Sequence, residues 1–156
     1  MDVFLIRHAE AIDETLDLRD PMRHLTPAGR KQAASLGDRL RWHDCVPTHI
    51  WTSPLVRAVQ TAELVATGLV SRVAVEVVPG LAVVESVRAV VAAVQALPAD
   101  ACVLLVGHEP GLSTIGAVIA RRPAFEALAK AEAARISDGA LRWRFAWDGE
   151  APVPAR

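Results

Sequence analysis

Short apolar runs alternate with longer amphipathic segments along this chain, and the alternation predicts its elements. The run at positions 3–6 is apolar throughout, which is typical of a strand buried on both faces of a sheet. The run at 140–147 alternates instead, with apolar residues on one predicted face and arginines on the other: Leu141, Trp143, Phe145 and Trp147 against Arg142 and Arg144. The predicted strands are VFLI (3–6), THIWTS (48–53), VAVEVV (73–78), CVLLV (102–106) and ALRWRFAW (140–147).

The segments between these runs begin and end with residues that favour the ends of helices. Thr26 can cap a helix whose first turn contains Pro27, and Ser53 with Pro54 repeats this start ahead of Gly68, a stop residue. Further helices are predicted over 85–97, 111–120 and 124–134. Because strands and helices alternate, we expect a three-layer α/β/α sandwich with a mainly parallel sheet and helices on both faces.

Composition narrows the class of protein. The chain has 156 residues, 52% of them hydrophobic and 22% charged, which is the profile of one globular domain. We expect residues 1–150 to form that domain and residues 151–156 to be a short tail. A net charge of −1 argues against a nucleic-acid partner. Because no apolar run could span a bilayer and the start has no secretion signal, a cytoplasmic protein without a membrane partner is expected. No spare apolar stripe calls for a partner subunit, so we expect a monomer.

Four basic side chains are predicted to meet at one edge of the sheet. Arg7 and His8 follow the first strand, and His108 follows the fourth strand after Gly107, where the backbone can bend. Arg57 lies in the first turn of the helix that follows the second strand, beside unpaired backbone N–H groups. The carboxyl ends of parallel strands share an edge, where ligands bind in open α/β sheets. The combination predicts an anion pocket, and the natural anion is phosphate.

Such a pocket can catalyse as well as bind. A neutral imidazole is a nucleophile near neutral pH, so His8 could attack phosphorus while the arginines hold the oxygens that gather charge. Three cationic or donor groups can replace a metal ion in this task, and no metal or cofactor is expected. Each residue alone also has an ordinary explanation: His8 as a loop residue, Arg57 on a solvated helix face and His108 as a helix cap. The hypothesis therefore depends on the combination.

Several motifs resemble the histidine phosphatase superfamily, the phosphoglycerate-mutase-like proteins. LIRHAEA (5–11) is similar to its Arg-His signature, SPLVRAVQTA (53–62) to a family helix, and VLLVGHEPGLS (103–113) to the strand end with its second histidine. RHLTPAG (23–29) resembles a segment of the short SixA-type branch, with His24 in place of the usual proline. The resemblance covers nearly the whole chain in the family's order, and it implies the phosphoglycerate-mutase-like fold.

The resemblance also implies roles for particular residues. His8 matches the nucleophile that becomes phosphorylated, Arg7 and Arg57 match the arginines of the phosphate pocket, and His108 matches the second histidine. Arg23 falls where the short branch has a substrate-binding arginine near the pocket mouth. Larger family members also place a glutamate after the third strand as the general acid, and this chain departs from that pattern.

Glu85 and Glu109 are the candidate general acids. Each has an alternative explanation as an acidic residue at a helix start. The absence of a clear acid favours a substrate that needs little protonation. An alkoxide leaving group is very basic, whereas an imidazole leaves with a pKa of about 6.5.

We therefore expect a metal-independent phosphatase that acts through phosphorylated His8 on protein phosphohistidine and releases inorganic phosphate. One alternative is a small-molecule phosphomonoesterase, in which Glu85 or Glu109 supplies a proton to a small phosphorylated substrate. Another is a phosphate-binding module without turnover. Cys45 and Cys102 are too few for a disulfide framework or a zinc site.

Overall fold

The structure, a computed structural model, describes residues 1–151 and contains one six-stranded sheet. Most of the expected tail, residues 152–156, lies outside the described residues. The strands are β1 (Asp2–Arg7), β2 (His49–Thr52), β3 (Val75–Val77), β4 (Cys102–Gly107), β5 (Glu132–Ser137) and β6 (Ala140–Ala146). The helices are α1 (Pro27–Leu40), α2 (Val56–Gly68), α3 (Val87–Gln95) and α4 (Gly111–Ile119). None of the helices in the described range is long and apolar enough to cross a membrane.

The sheet has the order β3-β2-β4-β1-β5-β6. The first four of these strands run parallel, and β5 pairs antiparallel with both β1 and β6. Leu5 and Leu105 face α3 and α4, whereas Phe4 and Leu104 face α1 and α2. All four side chains are fully buried, which contributes about 1.5–3 kcal/mol each. The predicted three-layer sandwich with a mainly parallel sheet is confirmed.

Helix α1 begins as its sequence predicts, and it packs closely against α2. The Thr26 hydroxyl accepts a hydrogen bond from the Gly29 N–H at 2.9 Å, with Pro27 as the first helical residue. A Cβ on Gly37 would lie 2.5 Å from the carbonyl oxygen of Val65, and one on Gly68 would lie 2.7 Å from that of Ala34. Glycine at the end of α2 therefore allows two helix backbones to touch, besides ending the helix.

The helix predicted over 124–134 is wrong. Phe125 and Leu128 have helical spacing, but they enter the core beside α3 and α4 from an irregular segment. The Leu128 N–H donates to Glu109 and the Leu128 carbonyl accepts from Arg7. Side chains therefore make the hydrogen bonds to this backbone that other backbone groups would make within a helix. From Glu132 onward the chain forms β5 along the free edge of β1.

The single apolar face predicted for 140–147 is also wrong, because β6 contains a bulge. Arg135 of β5 pairs with Trp143, but the next residue, Ile136, pairs with Leu141, so Arg142 is an extra residue. Leu141 consequently packs on the α3–α4 side, while the strand's aromatic residues pack on the α1–α2 side. A one-residue slip reverses the facing of every side chain beyond it.

Candidate active site

The strand register brings the two histidines together at the carboxyl edge of the sheet. Arg7 at the end of β1 pairs with Gly107 at the end of β4, and each histidine is the next residue along. The His8 N–H donates to the Gly107 carbonyl at 3.1 Å. The two imidazole centroids lie 5.1 Å apart. The predicted meeting of His8 and His108 at one edge is therefore confirmed.

The surroundings of His8 determine which ring nitrogen can react. Its Nδ1 lies 2.8 Å from the Ala9 carbonyl oxygen, which can only accept, so Nδ1 carries the hydrogen. The lone pair is then on Nε2. Burial lowers the pKa of His8 to about 3, opposed by the hydrogen bond to Ala9 and assisted by the nearby positive charges. His8 is therefore neutral at pH 7, with Nε2 as a free base.

Thr61 fixes the backbone beside the nucleophile, a role that the sequence reasoning missed. Its hydroxyl accepts a hydrogen bond from the Ala9 N–H at 3.1 Å and donates one to the Arg57 carbonyl at 2.7 Å. Both Ala9 and Thr61 are fully buried. One hydroxyl thus ties the turn after His8 to the first turns of α2, which carry Arg57.

Arg57 lies in the first turn of α2, as predicted, although that helix begins at Val56 rather than at Pro54. Ser53 does not cap it in the predicted manner; its hydroxyl accepts weakly from the Leu55 N–H at 3.3 Å and contacts His108. The Arg57 Nη1 donates to the Asp20 backbone carbonyl at 2.9 Å, and Nη2 donates to the Asp20 carboxylate at 3.3 Å. The outer edge of the guanidinium is therefore held by Asp20.

Arg7 and His108 are each held by one polar contact. The Arg7 Nη1 donates to the Leu128 carbonyl at 2.8 Å. The His108 Nε2 lies 2.8 Å from the Ser53 hydroxyl. Burial lowers the pKa of His108 to about 4, and the charge of Arg57 adds to the effect while Asp20 opposes it. His108 is thus also neutral at pH 7.

Within residues 1–151, three buried side-chain nitrogen or oxygen atoms lack a hydrogen-bond partner, and all three belong to this site. They are Arg7 Nε, Arg57 Nε and His108 Nδ1, which we call the open nitrogens. The Ser53 hydroxyl can donate to His108 Nε2, which leaves the ring hydrogen on Nδ1. All three open nitrogens are then donors. A buried donor without an acceptor costs about 1–3 kcal/mol, so their presence at one site indicates a place for an anion.

Arg23 contacts Asp20, the residue that also contacts Arg57. Its Nε donates to the Ile12 carbonyl at 2.7 Å, and its Nη1 donates to the Asp20 carboxylate at 2.9 Å. Asp20 therefore bridges Arg23 and Arg57. Asp20 was not singled out in the sequence, although its place three residues before Arg23, in the loop after the nucleophile, was a signal that could have identified it.

The two candidate general acids differ in their surroundings. The Glu109 carboxylate accepts hydrogen bonds from the Leu128 N–H at 2.8 Å and the Ser113 N–H at 3.1 Å. It therefore holds the segment that also contacts Arg7. Glu85 is an exposed residue of a short 3₁₀ turn (Val84–Ser86) that precedes α3.

The rest of the described chain offers no set of metal ligands. Within its 1–151 range, no group of three or more His, Cys, Asp and Glu side chains is placed to hold a metal ion. Cys45 and Cys102 are both buried free thiols.

Comparison with known proteins places these features in a family. Residues 3–82 match the model of the histidine phosphatase superfamily, branch 1. An uncharacterized protein of Picosynechococcus is 34% identical over 122 residues, which are 77% of this chain and 73% of that protein.

Solved structures extend the match to the whole fold. The protein histidine phosphatase SixA, complexed with tungstate, is 26% identical and superposes with a TM-score of 0.85 over 94% of this chain and 97% of that chain. A SixA structure from Agrobacterium tumefaciens is 22% identical, with a TM-score of 0.77 over 93% of this chain and 97% of that chain, and shows the same fold. The chain therefore belongs to the histidine phosphatase superfamily, branch 1, and is a phosphatase of the SixA type.

Proposed function

We propose that this phosphatase hydrolyses phosphohistidine in proteins through a covalent intermediate on His8, without a metal ion. The observation that carries the proposal is the group of open nitrogens beside a neutral, buried histidine. A tetrahedral phosphoryl group offers oxygen acceptors to donors that are otherwise unsatisfied. The similarity to a protein histidine phosphatase supports the choice of substrate class.

The reaction follows from the tautomer of His8. The lone pair on Nε2 attacks phosphorus of a phosphohistidine that carries a proton on its other ring nitrogen. The P–N bond to the substrate breaks and its electron pair moves to the departing nitrogen, so that a neutral imidazole leaves. A water molecule then attacks the phosphorus on His8, loses a proton to solvent, and returns the bonding pair to Nε2. Phosphate is released and His8 is again neutral.

Arg7, Arg57 and His108 stabilise both steps by donating to the equatorial oxygens, where charge accumulates. Two guanidinium groups carry permanent positive charge. His108 donates from Nδ1 as a neutral imidazole, because burial and the charge of Arg57 lower its pKa to about 4. These donors supply the electrostatic stabilisation for which other phosphoryl-transfer enzymes use a metal ion.

The leaving group explains the preference for an N–P bond. Expulsion of an alkoxide needs a placed acid, whereas an imidazole with a pKa of about 6.5 needs little help. Both oxygens of Glu109 already accept backbone hydrogen bonds, and Glu85 lies exposed on a separate turn. Neither arrangement favours proton donation to a strongly basic oxygen.

A second candidate is a small-molecule phosphomonoesterase. A narrow apolar cleft lies beside His108, with Glu109 in its wall and Leu81, Val84 and Leu112 among its lining residues. A small leaving group could occupy this cleft. If it did, Glu109 would have to exchange a backbone hydrogen bond for one to the substrate.

The test is a paired hydrolysis assay in the presence of a chelator. Phosphate release is followed from a phosphohistidine protein and from a sugar phosphate, with the wild type, His8→Ala and the matched control His49→Ala, an imidazole at the opposite strand end of β2. We expect the wild type and His49→Ala to prefer the phosphohistidine, and His8→Ala to lose at least about 10³-fold in kcat. Faster turnover of the sugar phosphate would favour the second candidate. Phosphate binding without turnover of either would contradict both.

A further inference from the structure

Asp20 is an acidic residue inside a group of basic side chains. Its carboxylate lies 3.2 Å from Arg57 Nη1 and 2.9 Å from Arg23 Nη1. Its backbone carbonyl accepts a further hydrogen bond from Arg57 at 2.9 Å. The contacts hold one edge of the Arg57 guanidinium, while Arg57 Nε, one of the open nitrogens, lies on the other. Asp20 and a phosphoryl group can therefore use Arg57 at the same time.

The side chains of Arg57 and Asp20 differ in their exposure to solvent. The Arg57 side chain is 8% exposed, whereas the Asp20 side chain is 44% exposed. Asp20 therefore joins a buried arginine of the phosphate site to the solvent-exposed surface. Arg23, 20% exposed, flanks it on the same side.

The charges of the site match one phosphoryl group. Arg7, Arg57 and Arg23 are positive, Asp20 is negative and both histidines are neutral, which leaves two positive charges in excess. A phosphoryl group carries about 1.5–2 negative charges at pH 7. A substrate with a second anionic group near its phosphoryl group would therefore meet Asp20 with no excess positive charge remaining to pair with it.

We propose that Asp20 is a specificity-determining residue, which limits the pocket to substrates whose phosphoryl group has neutral or cationic surroundings. It disfavours the binding of compounds in which a carboxylate or second phosphate lies close to the phosphoryl group. This inference rests on the proposed function, because it takes Arg7 and Arg57 as the phosphate ligands. It favours phosphorylated residues in neutral or basic protein segments over small polyanionic metabolites.

The loop that carries Asp20 has further acidic residues. Asp13, Glu14 and Asp17 are all exposed on this loop. Glu14 has one distant ion pair, 3.8 Å from the exposed Arg19. These acidic side chains add repulsion for an anionic substrate at longer range, an effect that salt screens over about 10 Å at 0.1 M.

Binding of two inert ligands tests the proposal without depending on which substrate is hydrolysed. Phenylphosphonate and carboxyphenylphosphonate share the anionic head, and the second adds one carboxylate. Calorimetry at low ionic strength is applied to the wild type, Asp20→Asn, Asp20→Glu and Asp100→Asn. Asp100→Asn is the matched control, since Asp100 is exposed and precedes β4 at the opposite edge of the sheet.

We expect the wild type to bind the carboxylated ligand about fivefold more weakly than phenylphosphonate, a size suited to one like-charge pair near the surface. In Asp20→Asn the two affinities should become equal within about twofold, while Asp20→Glu and Asp100→Asn keep the wild-type ratio. A ratio that Asp20→Asn leaves unchanged would overturn the proposal, as would failure of the wild type to bind either ligand. Failure of the proposed function has a different signature: both phosphonates bind, but phosphohistidine is not hydrolysed.

Discussion

The arginines near the two ends of β1 differ in whether their side-chain nitrogens have hydrogen-bond partners. At the amino end, Arg135 of β5 uses every side-chain nitrogen: Nε and Nη2 donate to Asp2 at 3.3 Å, and Nη1 donates to the His43 carbonyl at 3.4 Å. At the carboxyl end, Arg7 and Arg57 each keep a buried open nitrogen. An arginine that stabilises a fold has all its donors satisfied within the protein. An arginine that binds a ligand leaves a donor for it.

The sharpest contrast comes from replacing one arginine at each end. Arg57→Lys removes the open Nε and should lower kcat/KM by about 10²–10³-fold, the effect of losing one donor to the transition state. Arg135→Lys should leave kcat/KM within about threefold and reduce the free energy of unfolding by about 1–2 kcal/mol, because it loses hydrogen bonds to Asp2. Steady-state kinetics and urea unfolding measure both.

Phosphate provides an internal control for this pair. A ligand that binds only the folded protein raises its melting temperature. Phosphate should therefore stabilise the wild type and Arg135→Lys, and stabilise Arg57→Lys much less. Equal loss of activity in the two variants would contradict the assignment of Arg57 to ligand binding and of Arg135 to fold stability.

Substitution of Thr61 tests whether its hydroxyl is needed to position His8. Thr61→Val keeps the shape of the side chain but leaves the buried Ala9 N–H without its acceptor, which costs about 1–3 kcal/mol of stability. The turn that carries His8 then loosens, and we expect kcat to fall by about tenfold with little change in KM. Thr67→Val, at an exposed hydroxyl later in α2, serves as the control and should affect neither quantity. A wild-type kcat in Thr61→Val would contradict the positioning role.

The titration of His8 should depart from that of an ordinary histidine. In the folded protein its pKa is lowered to about 3 by burial, whereas in the unfolded chain it lies near 6.5. As the pH falls through this window, the unfolded chain binds a proton that the folded chain does not, so the free energy of unfolding decreases. Its decline below pH 6.5 should be shallower in His8→Ala. A ring resonance of His8 that titrates near 6.5 in NMR spectra would contradict this.

The smallest effect is expected at Glu85. Its side chain is exposed on a 3₁₀ turn, so Glu85→Gln should change phosphohistidine hydrolysis by no more than about twofold. Glu109→Gln should instead lower stability, because one of its oxygens that accepts a backbone hydrogen bond is replaced by a donor. A loss of activity in Glu85→Gln at unchanged stability would show that Glu85 is the general acid after all.

The sequence predicted the carboxyl-edge site because it follows from local rules. Strand ends mark the edge of a parallel sheet, so the residues just after VFLI and CVLLV had to meet there. The contributions of Thr61 and Asp20 were not predictable in this way. Each acts through a contact distant in sequence, from Thr61 to Ala9 and from Asp20 to Arg57, which only the packing of α2 against the loop creates.

The helix predicted over 124–134, before β5, was wrong for a related reason. Phe125 and Leu128 show helical spacing, but their backbone is held by Glu109 and Arg7, two residues of the site itself. Local periodicity cannot report that a peptide group has a side-chain partner elsewhere. The bulge at Arg142 could not be predicted either. An alternating sequence does not show which residue is extra until the pairing with the neighbouring strand is known.

The most direct measurement of the central claim is to trap the covalent intermediate. The enzyme is mixed with a phosphohistidine protein for milliseconds, quenched in alkali to preserve P–N bonds, digested and analysed by mass spectrometry. We expect a phosphoryl group on the peptide that contains His8, and its absence from His8→Ala. Release of phosphate at the wild-type rate with no label on His8, or with the label on His108, would contradict it.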